Sequence, residues 1–275
     1  MSDTSAASPA RKSSPPRHAT VTAVRRLTPH MVRVTIAGPD LAAADVTGCT
    51  DRYVKLVLGE PPVEGARPVV RTYTIRAARG GEWDIDLVVH GDEGLGGPWA
   101  ARAAVGDPVT ILGPGGTYAP DPLAPWHLLV GDESALPAVA AAVESLPAGA
   151  VAHVYLEVGS AAEEQELASA AELHVTWVHR ADVGARDLPA VVADAHAAGR
   201  LPAGVPHAFL HGEASCVRDL RRWARAELAV PRERLSASGY WRRGHDDEAW
   251  RAVKRDWVAA VEQDDAALDG TLVTA

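Results

Sequence analysis

Cysteine is nearly absent from this sequence. Cys49 and Cys216 are the only two, far apart and without Cys-x-x-Cys spacing. That excludes a disulfide-stapled fold, argues against protein-held zinc or iron–sulfur clusters, and fits a reducing compartment. Lysine is scarce as well. Of 27 basic residues only three are lysines (Lys12, Lys55 and Lys254), so outside the N-terminal stretch Lys55 and Lys254 are exceptions to a strong arginine habit. No apolar run approaches the roughly 18 residues needed to span a bilayer. The opening MSDTSAASPARKSSPPRH lacks the apolar stretch of a secretory signal. No internal repeat, Ser–His–Asp arrangement or HExxH motif is found, and the 11 histidines are scattered. A formal net charge of −9 disfavours general nucleic-acid binding. The expectation is a cytoplasmic, monomeric, globular protein with neither nucleic acid nor membrane as partner.

What is present falls into two halves. Residues 1–17, rich in Ser, Pro and Ala, read as a disordered tail whose Arg11, Lys12 and Arg17 are solvated. From 18 to 120, ATVTAVRRL, MVRVTIAG, RYVKLVLG, VVRTYTIRA, EWDIDLVV and DPVTILG are short, partly β-branched runs bounded by Gly, Pro or Asp. Six such strands suggest a small antiparallel barrel. It is interrupted by PWAARAAV, a short helix. YAPDPLAP at 118–125 marks the boundary. From 126 to 245, strand and helix alternate, which implies a parallel sheet covered on both faces. The helices expected there include SALPAVAAAVESL, with Ser134 as cap and Pro137 in the first turn, and EEQELASAA, whose acids read as a solvated face. Residues 246–275 read as a C-terminal helix and tail. The predicted fold class is α+β with two domains, an antiparallel β-barrel followed by a parallel α/β domain.

The stretch RTYTIR, residues 71–76, is unusual for a strand. Alternation puts Arg71, Tyr73 and Ile75 on one face and Thr72, Thr74 and Arg76 on the other, so neither face is cleanly apolar. It is either a rim strand whose arginines meet solvent or a strand bordering a flat anionic ligand. HGDEGLGGPWA then supplies a glycine-rich turn into a helix start, where exposed N–H groups favour phosphate. Together the two motifs suit a flavin dinucleotide. In the second half, VGDESALPA is a strand–turn–helix without the GxGxxG fingerprint, placed where α/β sheets bind ligands. His174, His179 and His207 fall within or at the ends of strands and read as structural.

RTYTIR, HGDEGLGGPWA, GDESALPA and SGYWRRG, in this order and spacing, resemble the siderophore-interacting protein family. These are ferric-siderophore reductases of the ferredoxin–NADP reductase superfamily, and the resemblance spans residues 18 to about 258. It implies FAD in the barrel and NADH or NADPH as electron donor in the α/β domain. Arg71, Thr72, Tyr73, Thr74 and Arg76 match the strand lining FAD, with His90, Gly91 and the turn Gly94, Gly96, Gly97, Pro98 and Trp99 beside it. Asp132, Glu133, Ser134 and Ala135 match the turn near the ring junction, and Tyr73, Thr74, Glu133 and Ser134 are the expected catalytic positions. Tyr240 and Trp241 either plug the domain interface or border the flavin at the mouth of a siderophore site. Lys55, Arg242, Arg243 and Lys254 are the candidate basic rim for an anionic ferric siderophore. Glu157 points to NADH and Arg180 to NADPH, and the sequence leaves that choice open. Rival readings are a flavin reductase feeding ferredoxin or another small acceptor, and a siderophore-binding flavoprotein without turnover.

Overall fold

The computed structural model describes residues 15–274 apart from 47, 60–67, 93, 183 and 185, with side chains described up to 269. The barrel is built from β1 (Arg17–Thr28), β2 (Met31–Ala37), β3 (Tyr53–Gly59), β4 (Val69–Arg79), β5 (Glu82–Val88) and β6 (Pro108–Gly115). They close in the antiparallel order β1-β2-β5-β4-β3-β6. Period-two patterning decides what faces in. Val34 and Ile36, Val54 and Leu56, and Trp83, Ile85 and Leu87 are all fully buried in one core. Two short helices, α1 (Pro39–Ala42) and α2 (Gly96–Arg102), add Leu41 and Ala100 to that core.

The second half is a five-stranded parallel sheet. Its strands are β7 (His127–Asp132), β8 (Val151–Val158), β9 (Glu172–His179), β10 (His207–Glu213) and β11 (Leu235–Trp241), in the order β11-β10-β7-β8-β9. Leu128 and Val130 of β7 pack with α4 (Leu188–Ala197) and α5 (Ala214–Glu227). Leu129, on the opposite face, packs with α3 (Leu136–Glu144). The α3 cluster also takes in Met31 and Tyr118 from the barrel side, so α3 is the wedge between the halves.

The last helix, α6 (Asp247–Thr274), crosses both halves. One end meets the barrel, where Arg71 pairs with Asp247 and Glu248. Its middle packs through Trp250, 2% exposed, and the Trp257 indole donates to the Ala214 carbonyl at 3.0 Å. Further along, Arg218 and Arg221 of α5 pair with Asp264 and Asp265, and Arg225 and Arg232 with Asp269. No described helix is long and apolar enough to cross a membrane.

Three expectations are corrected. Most of the predicted tail, residues 1–14, lies outside the described residues, but Arg17 opens β1 and donates to the carbonyls of Gly113 and Asp40. EEQELASAA is not a helix: a single 3₁₀ turn (Ala161–Glu163) gives way to an extended segment in which Gln165, Leu167 and Ser169 turn inward. Its residues favour helix intrinsically, yet tertiary contacts win. Glu163 is only 4% exposed and accepts from Thr28 Oγ1 at 2.5 Å and from the His30 backbone at 3.2 Å, with His30 Nδ1 2.6 Å away. Burial alone would raise its carboxyl, but these donors outweigh burial and hold it below the ordinary value. Ser134 does not cap α3 either, because its hydroxyl is taken by Asp132 at 2.5 Å.

Candidate functional site at the barrel–sheet junction

β4 faces the junction. Its register shifts between Ile75 and Ala77, so the simple alternation across RTYTIR ends there. Thr72 is exposed, while Thr74 and Ile75 are both buried. Arg76, at the irregularity, reaches across to Glu144 of α3 at 2.7 Å. Arg71 is 11% exposed and bonded to Glu248 at 2.8 Å and Asp247 at 3.1 Å, the acidic tip of α6. Tyr73 lies against the start of α2, where a Cβ on Gly96 would come within 1.5 Å of its phenol oxygen. Only glycine fits there. Burial pushes the Tyr73 phenol up to about 12, against the pull of Arg71.

The turn beside it exposes His90, Gly91, Asp92, Gly94 and Leu95, while Gly96 and Pro98 are buried and Trp99 packs on the barrel core. Gly91 and Gly94 have φ of 58° and 75°, left-handed values that glycine adopts without strain. A guanidinium, the hydroxyl of exposed Thr72 and exposed main-chain groups form a donor set chemically suited to the pyrophosphate of FAD. The Gly96 cradle suits a tyrosine held flat beside a ring.

Across the junction, GDES turns at the C-terminal edge of the parallel sheet. Asp132 is its hub, 4% exposed. It accepts from Ser134 N at 2.9 Å, Glu213 N at 2.8 Å and the Trp241 indole at 2.8 Å. Burial raises its carboxyl above the usual range, against the pull of the Ser134 hydroxyl and the Trp241 indole. Gly212, with φ of 135°, lets the Asp132 carboxylate approach to where a Cβ would sit at 2.6 Å. Asp132 thereby ties the GDES turn to the ends of β10 and β11. Ala135 is fully buried at the start of α3. Glu133 and Glu157 both bind Arg180, at 2.8 and 3.0 Å.

Tyr240 and Trp241 end β11 as anticipated but part ways. The Tyr240 phenol bonds to His211 Nδ1 at 2.9 Å and lies within electrostatic reach of Asp51 and Tyr53 of the barrel. Trp241 is 37% exposed. Lys254 donates to the Gly239 carbonyl at 2.9 Å and sits 5.6 Å over the Trp250 ring. Burial, then the charges of Arg251 and Lys55, lower its pKa despite Asp247. The two lysines therefore share one neighbourhood, Lys55 exposed on β3 opposite Thr72. Arg242 instead lines a cleft of about 400 Å³ with Arg218 of α5 and Trp257 of α6, and the Arg243 backbone donates to Glu213.

Sequence reasoning missed the acidic tip of α6. Its signal was present in HDDEAW, where Asp246 caps the backbone of Ala249 at 2.7 Å. It also missed that Glu133, Glu157 and Arg180 form one cluster, since they come from three different strand ends.

Known proteins bear on this arrangement. Residues 124–244 match the family description "Siderophore-interacting protein", and residues 20–64 and 60–118 match "Siderophore-interacting FAD-binding domain". Ferric vibriobactin reductase ViuB of Vibrio cholerae is 33% identical over 80% of this chain and 87% of its own length. The NADPH-dependent ferric-chelate reductase of Escherichia coli is 29% identical, covering 82% of this chain and 92% of that one. The crystal structure of the siderophore-interacting protein SipS from Aeromonas hydrophila superposes with a TM-score of 0.75 at 31% identity, over 89% of this chain and 98% of the other. With its FAD-binding barrel and ferredoxin reductase-like two-domain fold, the chain belongs to the siderophore-interacting protein family.

Proposed function

We propose that this protein is an NAD(P)H-dependent, FAD-containing ferric-siderophore reductase that releases iron from its chelate as Fe(II). The observation that carries this reading is the convergence of three elements at one junction. They are β4 with Arg71 and Tyr73, the end of β11 with Trp241, and the start of α6 with Lys254. Arg71, Thr72 and the turn around Gly94 hold the FAD pyrophosphate, and Tyr73 and Thr74 border its ring. Glu133 and Ser134 lie at the opposite edge, where the nicotinamide enters. Bound FAD supplies the means of passing an electron pair from the nicotinamide on as single electrons to Fe(III). The protein's own part is positioning and exclusion of water. Lys55 and Lys254 raise the local concentration of an anionic chelate. Iron is cargo here, held by siderophore oxygens, and its looser hold after reduction frees it.

The names of the Vibrio and Escherichia relatives support the reaction class. The test is an anaerobic absorbance experiment on the purified holoprotein. Flavin bands bleach on adding NADH or NADPH, and a ferric siderophore restores them with Fe(II) trapped by a ferrous chelator. A flavin that neither dinucleotide bleaches refutes the donor. A reduced flavin reoxidised by ferredoxin but by no ferric chelate shifts the function to the ferredoxin reductase reading.

A further inference from the structure

We propose that Glu133, Glu157 and Arg180 make the donor site selective for NADH over NADPH. This rests on the reading above that a nicotinamide dinucleotide binds at the C-terminal edge of the parallel sheet. The sheet register places Asp132 opposite Glu157 and Val158 opposite His179, so Glu133, Glu157 and Arg180 emerge side by side at that edge. Arg180 bonds both oxygens of Glu133, one at 2.8 Å, and Oε1 of Glu157 at 3.0 Å. Its guanidinium is thus committed to two carboxylates at once.

The formal charge of the trio is negative. The surroundings add to it. Burial first, then the carboxylates of Asp132, Glu157, Glu213 and Asp187, push the nearby Cys216 thiol well above its ordinary value. Two cationic candidates that follow β9 in sequence are paired elsewhere: His179 faces Glu164 and Asp182, and Arg186 pairs with Asp194. A 2′-phosphate brings about −2 charge at neutral pH. It has to draw Arg180 off both carboxylates and leave them unpaired beside it, well inside the screening length of about 8 Å. A ribose 2′-OH needs none of this. It donates to a carboxylate at the end of the second strand, the arrangement that reads NADH in doubly wound sheets. The Escherichia relative is named for NADPH, so the preference argued here comes from these side chains rather than from the family.

Two measurements on the holoprotein test it: kcat/KM for flavin reduction by each dinucleotide, and equilibrium binding of the probes 5′-AMP and adenosine 2′,5′-bisphosphate. NADH is expected to exceed NADPH at least tenfold in kcat/KM, and 5′-AMP to bind more tightly than the bisphosphate. Glu157→Gln removes the carboxylate that accepts from the 2′-OH and one of the three bonds that hold Arg180, so it is expected to tighten the bisphosphate at least fivefold while weakening 5′-AMP. Glu133→Gln removes the other two bonds and, because Glu133 also stands where the nicotinamide enters, is read only with the bisphosphate, a probe without nicotinamide, which should again tighten at least fivefold; it serves if the first variant folds poorly. Parity or an NADPH preference in the wild type overturns the selectivity while sparing the donor assignment. So does a glutamine variant that shifts both probes equally. If neither dinucleotide reduces the flavin, the donor assignment falls and the selectivity with it.

Discussion

Arg71 is proposed to bind the FAD pyrophosphate, yet in the structure it is held by the tip of α6. FAD binding is therefore a competition for one guanidinium, and the magnitudes decide it. The Glu248 side chain is 59% exposed, so its pairing with Arg71 is worth no more than about 1 kcal/mol. Asp247 is more enclosed, and burial holds its carboxyl above the usual range despite Arg71 and Arg251. A charge-assisted contact from Arg71 to phosphate is worth about 1.5–3 kcal/mol. The phosphate wins by a modest margin. The net loss of about 0.5–2 kcal/mol means that Arg71→Ala is expected to weaken FAD about two- to thirtyfold, at about 1.4 kcal/mol per decade. Glu248→Gln, which removes the weaker competitor and a negative charge beside the phosphate, is expected to tighten FAD two- to fivefold. Quenching of flavin fluorescence on titrating apoprotein reads both, with thermal unfolding as a check that each variant is folded. The reasoning fails if Arg71→Ala binds FAD like wild type. It fails equally if Glu248→Gln loosens FAD as Arg71→Ala does, since Glu248 would then be supporting the site.

Other consequences are open to direct measurement. Lys55→Ala is expected to raise KM for an anionic ferric siderophore severalfold without changing thermal stability, with an effect that shrinks as salt rises. Lys254→Ala should raise KM similarly but also lower Tm by a few degrees, because its bond to the Gly239 carbonyl is lost as well. Gly96→Ala drives a methyl into the Tyr73 phenol and should cost about 1–3 kcal/mol of stability together with FAD retention; a stable, fully flavinated variant refutes the cradle. Burial lowers His127 to about 4, helped by His207 and opposed by Asp121, and lowers His211 to about 3. Their contribution is complete above the unfolded value near 6.5 and is lost as pH falls toward those folded values, at up to about 1.4 kcal/mol per pH unit each. The raised Asp132 carboxyl acts in the opposite sense. Unfolding measured between pH 7 and 5 should therefore show falling stability, less steeply in His127→Phe; a flat profile contradicts the burial argument.

Much of this was legible because local chemistry and tertiary structure agreed. Barrel strands such as MVRVTIA and EWDIDLV alternate, the central sheet strands β7, β8 and β10 are buried nearly throughout, and RTYTIR with the following glycines carried its own oddity. Where they disagreed, the sequence misled. EEQELASAA has good helix formers, but one buried carboxylate on Thr28 and His30 outweighs the propensity of the segment. Ser134 is a good cap by type, but a buried Asp132 two residues earlier claims its hydroxyl. Arg180 and Glu157 read as rival signals along the chain and prove to be partners in space, which only strand register reveals.

The 28 residues of α6 make a rod about 42 Å long at 1.5 Å per residue. It is pinned to the barrel at one end and to the sheet along the rest. Such a splint fixes the angle between the two halves, so a swing that widens the gap between flavin and donor must first unfasten Arg71 from Asp247 and Glu248. If FAD is loaded onto Arg71 that fastening is released, while the Arg76–Glu144 pair and the contacts of Glu163 to Thr28 and His30 still join the halves, so flavin loading loosens one edge of the hinge and leaves the other tied.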